Sequence, residues 1–337
     1  MAPNILVTAD FSPEGLEQLR ELGEVTVDGW GVTGAIASEA ETARMFARAD
    51  IVAIGYEPVT EVVFAATDLK YLASIRGGPG ANIDLTAAAK RGIPVTGTVG
   101  REAKPVADHA FGLMLSVLRH ITLTDRMLRT GGLASDPDDD SGETGWGMGP
   151  QDPWNRFKGF ELTGRTIGLV GLGTVGREMV KRARGFDMRV LAHDPYIGDP
   201  GDVQMCDLDT LLAEADVVSI HARVTEDSAG MIGEREFGLM KPDAVLINTA
   251  RAGLVSRPAL VDALTSRRIR GAGLDVHHDE PLGADNPFLA MDNVVLTPHI
   301  AGATVEVMTR HSQLVVDNIR RFCAGEPLVN DLTTGPA

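Results

Sequence analysis

The stretch Thr166-Ile167-Gly168-Leu169-Val170-Gly171-Leu172-Gly173-Thr174-Val175-Gly176 decides the reading of this chain. Its first five residues form a short apolar run of the kind that makes a buried strand. Beyond it, Met179, Val180 and Ala183 recur at helical spacing. Three glycines therefore lie between a strand and a helix. Gly171 permits the tight turn, Gly173 lets the backbone approach a pyrophosphate, and Gly176 lets helix and strand pack closely. The helix opens with unpaired N–H groups and the positive end of its dipole, a natural seat for phosphate. A second strand, Arg189-Val190-Leu191-Ala192, runs towards Asp194. An acid at this spacing, about 20 residues on, accepts ribose hydroxyls and repels a 2′-phosphate. The segment predicts a dinucleotide site with NAD as its cofactor.

Working outward, further β-branched runs alternate with helical patterns: Ile5-Leu6-Val7, Ile51 to Ile54, Val217 to Ile220, Val245 to Ile247 and Val294 to Leu296. Alternation of this kind predicts an α/β fold with parallel sheets covered on both faces. The pattern falls into two blocks, one before residue 100 and one from Thr166 to Leu296. Between them Val106, Ala110, Leu113, Met114, Val117, Leu118 and Ile121 predict one helix, with Pro105 in its first turn and Gly131-Gly132 at its end. An acidic loop follows from Leu133 to Pro153, with Asp136, Asp138, Asp139, Asp140 and Glu143. It reads as a solvated surface insertion in preference to a substrate lid.

The 337 residues are too many for one small core and predict two domains. A net charge of −16 argues against a nucleic-acid partner. Cys206 and Cys323 lack companions at zinc or disulfide spacing and fit a reducing compartment. The start of the chain lacks the basic and apolar regions of a signal peptide, and no apolar run is long enough to span a bilayer. A cytoplasmic protein without a membrane partner is expected.

Three segments at strand ends carry the residues suited to chemistry. Arg251 closes Leu246-Ile247-Asn248-Thr249-Ala250-Arg251, Glu280 ends Gly273 to Glu280, and His299 follows Thr297-Pro298. Ligands of open α/β sheets bind outside the carboxyl ends of strands, so the three can converge. Oxidation of an alcohol needs a base for the hydroxyl proton, and His299 suits that part. A carboxylate such as Glu280 can orient the ring and stabilise its charged form. Arg251 offers a substrate carboxylate two parallel donors, which a lysine cannot. Singly, each also reads as an ordinary loop residue. A metal reading of His277, His278, Asp279 and Glu280 is set aside, because neighbouring side chains diverge.

With these segments in place the sequence resembles the D-isomer-specific 2-hydroxyacid dehydrogenase family. The resemblance rests on GLGTVG with Asp194, INTARAGLV, GAGLDV with Glu280-Pro281, and LTPHIAGAT. It implies two Rossmann-like or flavodoxin-like domains: a substrate-binding domain made of residues 1–100 and 300–337, and an NAD-binding domain, 101–299, inserted between them. It implies a homodimer joined largely through the cofactor domains, where the helix from Pro105 lies. Residue by residue, it gives Arg251 the substrate carboxylate, Glu280 the partner role and His299 the acid–base role. Thr174, Val175, Asp194, Thr249, Ala250 and Asp275 become cofactor contacts, with Asp275 near the nicotinamide amide.

Arg76-Gly77-Gly78-Pro79-Gly80-Ala81-Asn82-Ile83-Asp84 resembles the family's substrate loop, one residue short and without its aromatic. Backbone N–H groups at Gly77 and Gly78 would hold a carboxylate. His277-His278 replaces the family's usual aromatic and acidic pair. Too few residues follow Gly302 for the independent regulatory domain that some phosphoglycerate dehydrogenases carry. Arg101 and Lys104 follow the strand-like Val95-Thr96 and would favour a substrate with a second anionic group if they reach it. A small 2-hydroxy or 2-oxo acid is the expected substrate. The alternatives on the same fold are a phosphite or other non-hydroxyacid dehydrogenase, and an NAD-sensing interaction protein like the transcriptional co-repressors.

Overall fold

A computed structural model of the chain describes residues 2–133, 149 and 152–333. It divides into two compact units, Met1–Arg101 with Ala303–Ala337, and Glu102–Gly302. Nearly all of the acidic loop 133–153, including Asp136, Asp138, Asp139, Asp140 and Glu143, lies outside the described residues.

The first unit is built on β1 (Asn4–Val7), β2 (Glu24–Val27), β3 (Ile51–Ile54), β4 (Tyr71–Ser74) and β5 (Val95–Thr96), in the order β2-β1-β3-β4-β5. Every pairing among these five strands is parallel, and Thr96 of β5 adds an antiparallel bridge to Asp331. β3 and β4 are buried along their whole length, because helices cover both faces and leave no solvent side for polar alternation. One cover comes from the end of the chain. Helix Val305–Ala324 sets Val315, Val316 and Ile319 against Ile5, Val7 and Tyr71. A fully buried side chain of this size contributes about 1.5–3 kcal/mol.

The second unit carries β6 (Thr166–Val170), β7 (Arg189–His193), β8 (Gln204–Met205), β9 (Val217–Ile220), β10 (Val245–Asn248), β11 (Gly271–Leu274) and β12 (Val294–Leu296). The order is β12-β11-β10-β9-β6-β7-β8, again all parallel. Chain order reverses between β6 and β9, which makes their carboxyl ends the switch point at which such sheets bind ligands. The two parallel sheets are the α/β architecture expected.

One expectation fails. The stripe from Val106 to Ile121 predicts a single helix, but there are two, Ala103–Leu118 and Ile121–Arg129, parted at His120 with φ 56° and ψ 27°. A left-handed residue cannot continue a right-handed helix. Ile121 therefore leaves the buried stripe and is 51% exposed.

Candidate active site

The glycine turn between β6 and helix Thr174–Gly185 is shaped by what its glycines leave out. Gly171 has φ +100°, and a Cβ there would sit 2.8 Å from the His221 carbonyl at the end of β9. A Cβ on Gly176 would sit 2.4 Å from the Gly171 carbonyl oxygen. Around Gly173, the N-cap of the helix, a Cβ would meet nothing within 4 Å. Two glycines are thus spent on packing, and the third borders open space at a helix N-terminus. That geometry fits a pyrophosphate. Thr174 and Val175 are the first two residues of the helix.

Asp194 follows β7 and is half-buried. Its Oδ2 accepts the Leu172 N–H at 2.8 Å and its Oδ1 the Tyr196 N–H at 3.0 Å. The acid is fixed against the glycine turn, and each oxygen keeps a lone pair for a ribose hydroxyl. At the end of β10, Thr249 is 7% exposed and its buried Oγ1 has no partner. An unmatched buried hydroxyl is costly, so it marks a place where a bound polar group would be compensated. Both observations fit a dinucleotide.

Beside the switch point, His221 hydrogen-bonds Ser219 at 2.9 Å, and burial pushes its pKa down to about 3. This ring stays neutral across the physiological range.

Arg251 stands just past β10 on a turn closed by the buried Asn248. Asn248 Oδ1 accepts from the Ala250 N–H at 3.0 Å, and its Nδ2 donates to the Arg251 carbonyl at 3.0 Å. The exposed Arg251 guanidinium touches only the Ala250 carbonyl, at 2.6 Å, and forms no ion pair among the described residues. It keeps donors for an anion.

His299 follows β12 with φ 57°. A left-handed histidine costs on the order of 1–3 kcal/mol, a strain usually kept where function needs the side chain aimed. Its Nδ1 lies 2.8 Å from Glu280 Oε2. A carboxylate only accepts, so Nδ1 carries the proton and Nε2 is left for the reacting oxygen. Glu280 Oε1 accepts the His277 N–H at 2.9 Å. Burial works to raise the Glu280 pKa, but the hydrogen bonds from His299 and the His277 amide outweigh it and hold the carboxyl below its ordinary value.

Asp275, for which the resemblance implies a cofactor contact, is engaged by the protein itself. It is 0% exposed, and its oxygens accept the Thr297 hydroxyl at 2.6 Å and the N–H groups of Ile300 and Ala301 at 2.9 and 2.8 Å. It points inward and holds the turn that carries His299. His277 and His278 also diverge, the first to the Thr297 carbonyl and the second to that of Val255. Among the described residues no group of His, Cys, Asp and Glu is gathered for a metal, and no helix is long and apolar enough to cross a membrane.

In the first unit, Gly77 and Gly78 are exposed on the loop after β4. The loop is clamped at its ends: Arg76 Nη1 donates to Asn82 Oδ1 at 3.1 Å, and Asn82 Nδ2 donates to the Glu57 carbonyl at 2.9 Å. Arg101 is engaged within this unit, its Nη1 3.0 Å from His311 Nδ1. Lys104, in the second unit, is exposed.

Residues 111–301 match the family model described as D-isomer specific 2-hydroxyacid dehydrogenase, NAD binding domain. The chain belongs to this family. A glyoxylate reductase of Korarchaeum cryptofilum is 34% identical over 97% of this chain and 94% of its own length. A D-3-phosphoglycerate dehydrogenase of Archaeoglobus fulgidus is 35% identical over 97% of this chain but only 58% of its own. Among solved structures, the D-lactate dehydrogenase of Escherichia coli superposes with TM-score 0.74 at 27% identity, covering 98% of this chain and 99% of that one. As a member of the family the chain is a 2-hydroxyacid dehydrogenase, an oxidoreductase that works with a nicotinamide cofactor.

Proposed function

We propose that the chain interconverts a D-2-hydroxy acid and its 2-oxo acid, with His299 as the acid–base, Glu280 as its partner and Arg251 as the anchor of the substrate carboxylate. The observation that carries this reading is the 2.8 Å His299–Glu280 pair, which leaves Nε2 as the proton-exchanging atom. The nicotinamide, when bound, supplies or receives the hydride at C2. In reduction, His299 gives its Nε2 proton to the oxygen that becomes the hydroxyl. In oxidation, neutral His299 takes that proton back. Glu280 stabilises the imidazolium through Nδ1, and Arg251 fixes the acid by two parallel hydrogen bonds.

For the cofactor, the reading gives Gly171, Gly173, Gly176, Thr174 and Val175 to the phosphates, Asp194 to the ribose, and Thr249 and Ala250 to the remaining contacts, with NAD preferred over NADP. Gly77 and Gly78 keep the part of backbone donors to an anionic group. A homodimer is the assembly expected. Helix Ile121–Arg129, which has no buried residue and exposes Ile121 and Leu128, is the candidate face for it, checked by light scattering.

Residues alone leave phosphite oxidation and NAD sensing open; relatives named as 2-oxo acid reductases favour neither. NADH absorbance with glyoxylate, hydroxypyruvate and phenylpyruvate tests the proposal. Turnover that is lost in His299→Ala supports it, and no turnover with any 2-oxo acid, or equal turnover in His299→Ala, refutes it.

A further inference from the structure

We propose that His109 is a positioning residue of the reaction, a donor on a separate helix that sets the His299 turn through Thr297 and Asp275. The inference rests on the reading of His299 as the acid–base.

The donor–acceptor accounting is closed. Thr297 Oγ1 lies 2.6 Å from Asp275 Oδ1 and 2.9 Å from His109 Nε2. A hydroxyl has one proton, and the ionised carboxylate can only accept. The Thr297 proton therefore goes to Asp275, and the bond to the imidazole runs the other way, with His109 Nε2–H donating to Thr297 Oγ1. The same nitrogen is 3.5 Å from Asp275 Oδ1, so its N–H also faces a carboxylate that is 0% exposed.

Thr297 is gripped at two points. Its hydroxyl is held by Asp275 and His109, and its carbonyl faces His277 Nε2 at 2.9 Å. Two residues later the chain turns left-handed at His299, and Asp275 takes up the next two N–H groups, those of Ile300 and Ala301. His299 is thus bracketed on both sides by bonds to one buried carboxylate, from Thr297 before it and from Ile300 and Ala301 after it. The donors to that carboxylate come from the His299 turn, and His109 on the helix Ala103–Leu118 backs them through Thr297.

The helix is well anchored for this task. Leu113, one turn after His109 on the same face, packs so closely on β11 that a Cβ on Gly273 would lie 2.8 Å from the Leu113 Cβ. β11 leads directly into Asp275. The helix that presents His109 and the strand that presents Asp275 are therefore packed directly against each other. The strained φ of His299 has an identifiable support, and His109 is the part of it contributed by a separate element.

The test is a double-mutant cycle in the full-length enzyme with NADH and the best 2-oxo acid. His109→Leu removes the donor, and His109→Gln keeps a side-chain donor of similar reach. A misplaced general acid loses on the order of 10–100-fold in rate, so kcat of His109→Leu is expected to fall by about that factor. NADH affinity, read by fluorescence without oxo acid, is expected to stay within about twofold, and His109→Gln to recover most of the loss. In a Thr297→Val background, His109→Leu is expected to cost little more, because the path is already cut. Unchanged kcat in His109→Leu, independent effects of the two substitutions, or a loss of NADH affinity equal to the loss of kcat each overturns the proposal. If His299→Ala is inactive while His109→Leu is fully active, only this inference fails. If His299→Ala is active, the reading of the site fails first.

Discussion

Glu280 meets Nδ1 of His299 at 2.8 Å with one oxygen and the backbone N–H of His277 at 2.9 Å with the other. The carboxylate is thereby committed to orienting the ring. His299→Ala removes the proton carrier, and general acid–base help is worth about 10²–10⁴-fold, so kcat is expected to fall on that order. The Glu280 pKa lies below its ordinary value of about 4.3, so the group remains charged down to more acidic pH and is neutralised only below that value. Wild-type reduction should accordingly keep its His–carboxylate pair at pH 5. In Glu280→Gln the imidazolium loses its counter-charge, and reduction should fade at lower pH than in the wild type. A pH–rate profile that does not move argues against the pair.

Arg251 presents a guanidinium with no acidic partner among the described residues. Lysine keeps the charge but cannot make two coplanar hydrogen bonds. Arg251→Lys is expected to raise KM for the oxo acid by about tenfold or more with a smaller change in kcat, the pattern of lost ground-state binding. Steady-state kinetics with a single 2-oxo acid settle it, and a pure kcat effect would point to a different role.

Asp194 already accepts two backbone N–H groups, so it cannot swing aside easily for a 2′-phosphate. NADH should therefore give a higher kcat/KM than NADPH. Asp194→Ala should narrow the ratio, chiefly by losing NADH affinity. Parity between the two cofactors in the wild-type enzyme contradicts the assignment.

The three glycines of the turn should separate in a stability assay. Gly171→Ala places a side chain at φ +100° and 2.8 Å from backbone, and Gly176→Ala places one 2.4 Å from a carbonyl oxygen. Both are expected to lower Tm by several degrees, since strain of about 1–3 kcal/mol has nowhere to go. Gly173→Ala meets nothing within 4 Å, so it should leave Tm nearly unchanged and weaken NADH binding instead. If Gly173→Ala binds NADH normally, the phosphates do not pass there.

His221 gives the second unit an acid weakness. Its folded pKa, about 3, lies below the unfolded value of about 6.5, so the unfolded chain takes up a proton that the folded chain refuses. Its contribution is therefore intact above pH 6.5 and erodes as pH falls from there towards 3. At pH 5 the loss is at most about 2 kcal/mol, less where solvent reaches the ring. His221→Asn should remove this slope: the difference in Tm between variant and parent, read by calorimetry from pH 8 to 5, should shift in the variant's favour on the acid side. A constant difference shows that the ring titrates normally.

Local pattern made most of the buried strands, the glycine turn and the strand-end positions of Arg251, Glu280 and His299 legible, because burial on both faces writes itself as continuous apolar runs and the turn demands glycine; β2, β4 and β8 went unread. The break at His120 was not legible, since nothing in the stripe from Val106 to Ile121 announces one left-handed residue. Nor was the inward aim of Asp275, whose direction is set by N–H groups that arrive 25 and 26 residues later. His109 left a faint mark. It stands on the border of the helix's apolar stripe, one turn before Leu113, where a half-buried imidazole needs a partner. Sequence spacing alone could not say that the partner was Thr297.

The order in which the polypeptide leaves the ribosome bears on the helix Val305–Ala324. The five strands of the first unit are all made before residue 97, yet Val315, Val316 and Ile319, which close one side of that sheet, come only after the whole of the second unit. Until those residues emerge, the first sheet lacks the side chains that cover this side, whereas the seven described strands of the second unit are all made once Leu296 has emerged. A chain interrupted between Leu296 and Val315 therefore carries every described strand of the second sheet beside a first sheet that lacks this cover. Transiently exposed apolar surface makes partly built chains prone to aggregate, and in such a chain that surface includes the side of the first sheet that Val315, Val316 and Ile319 would close.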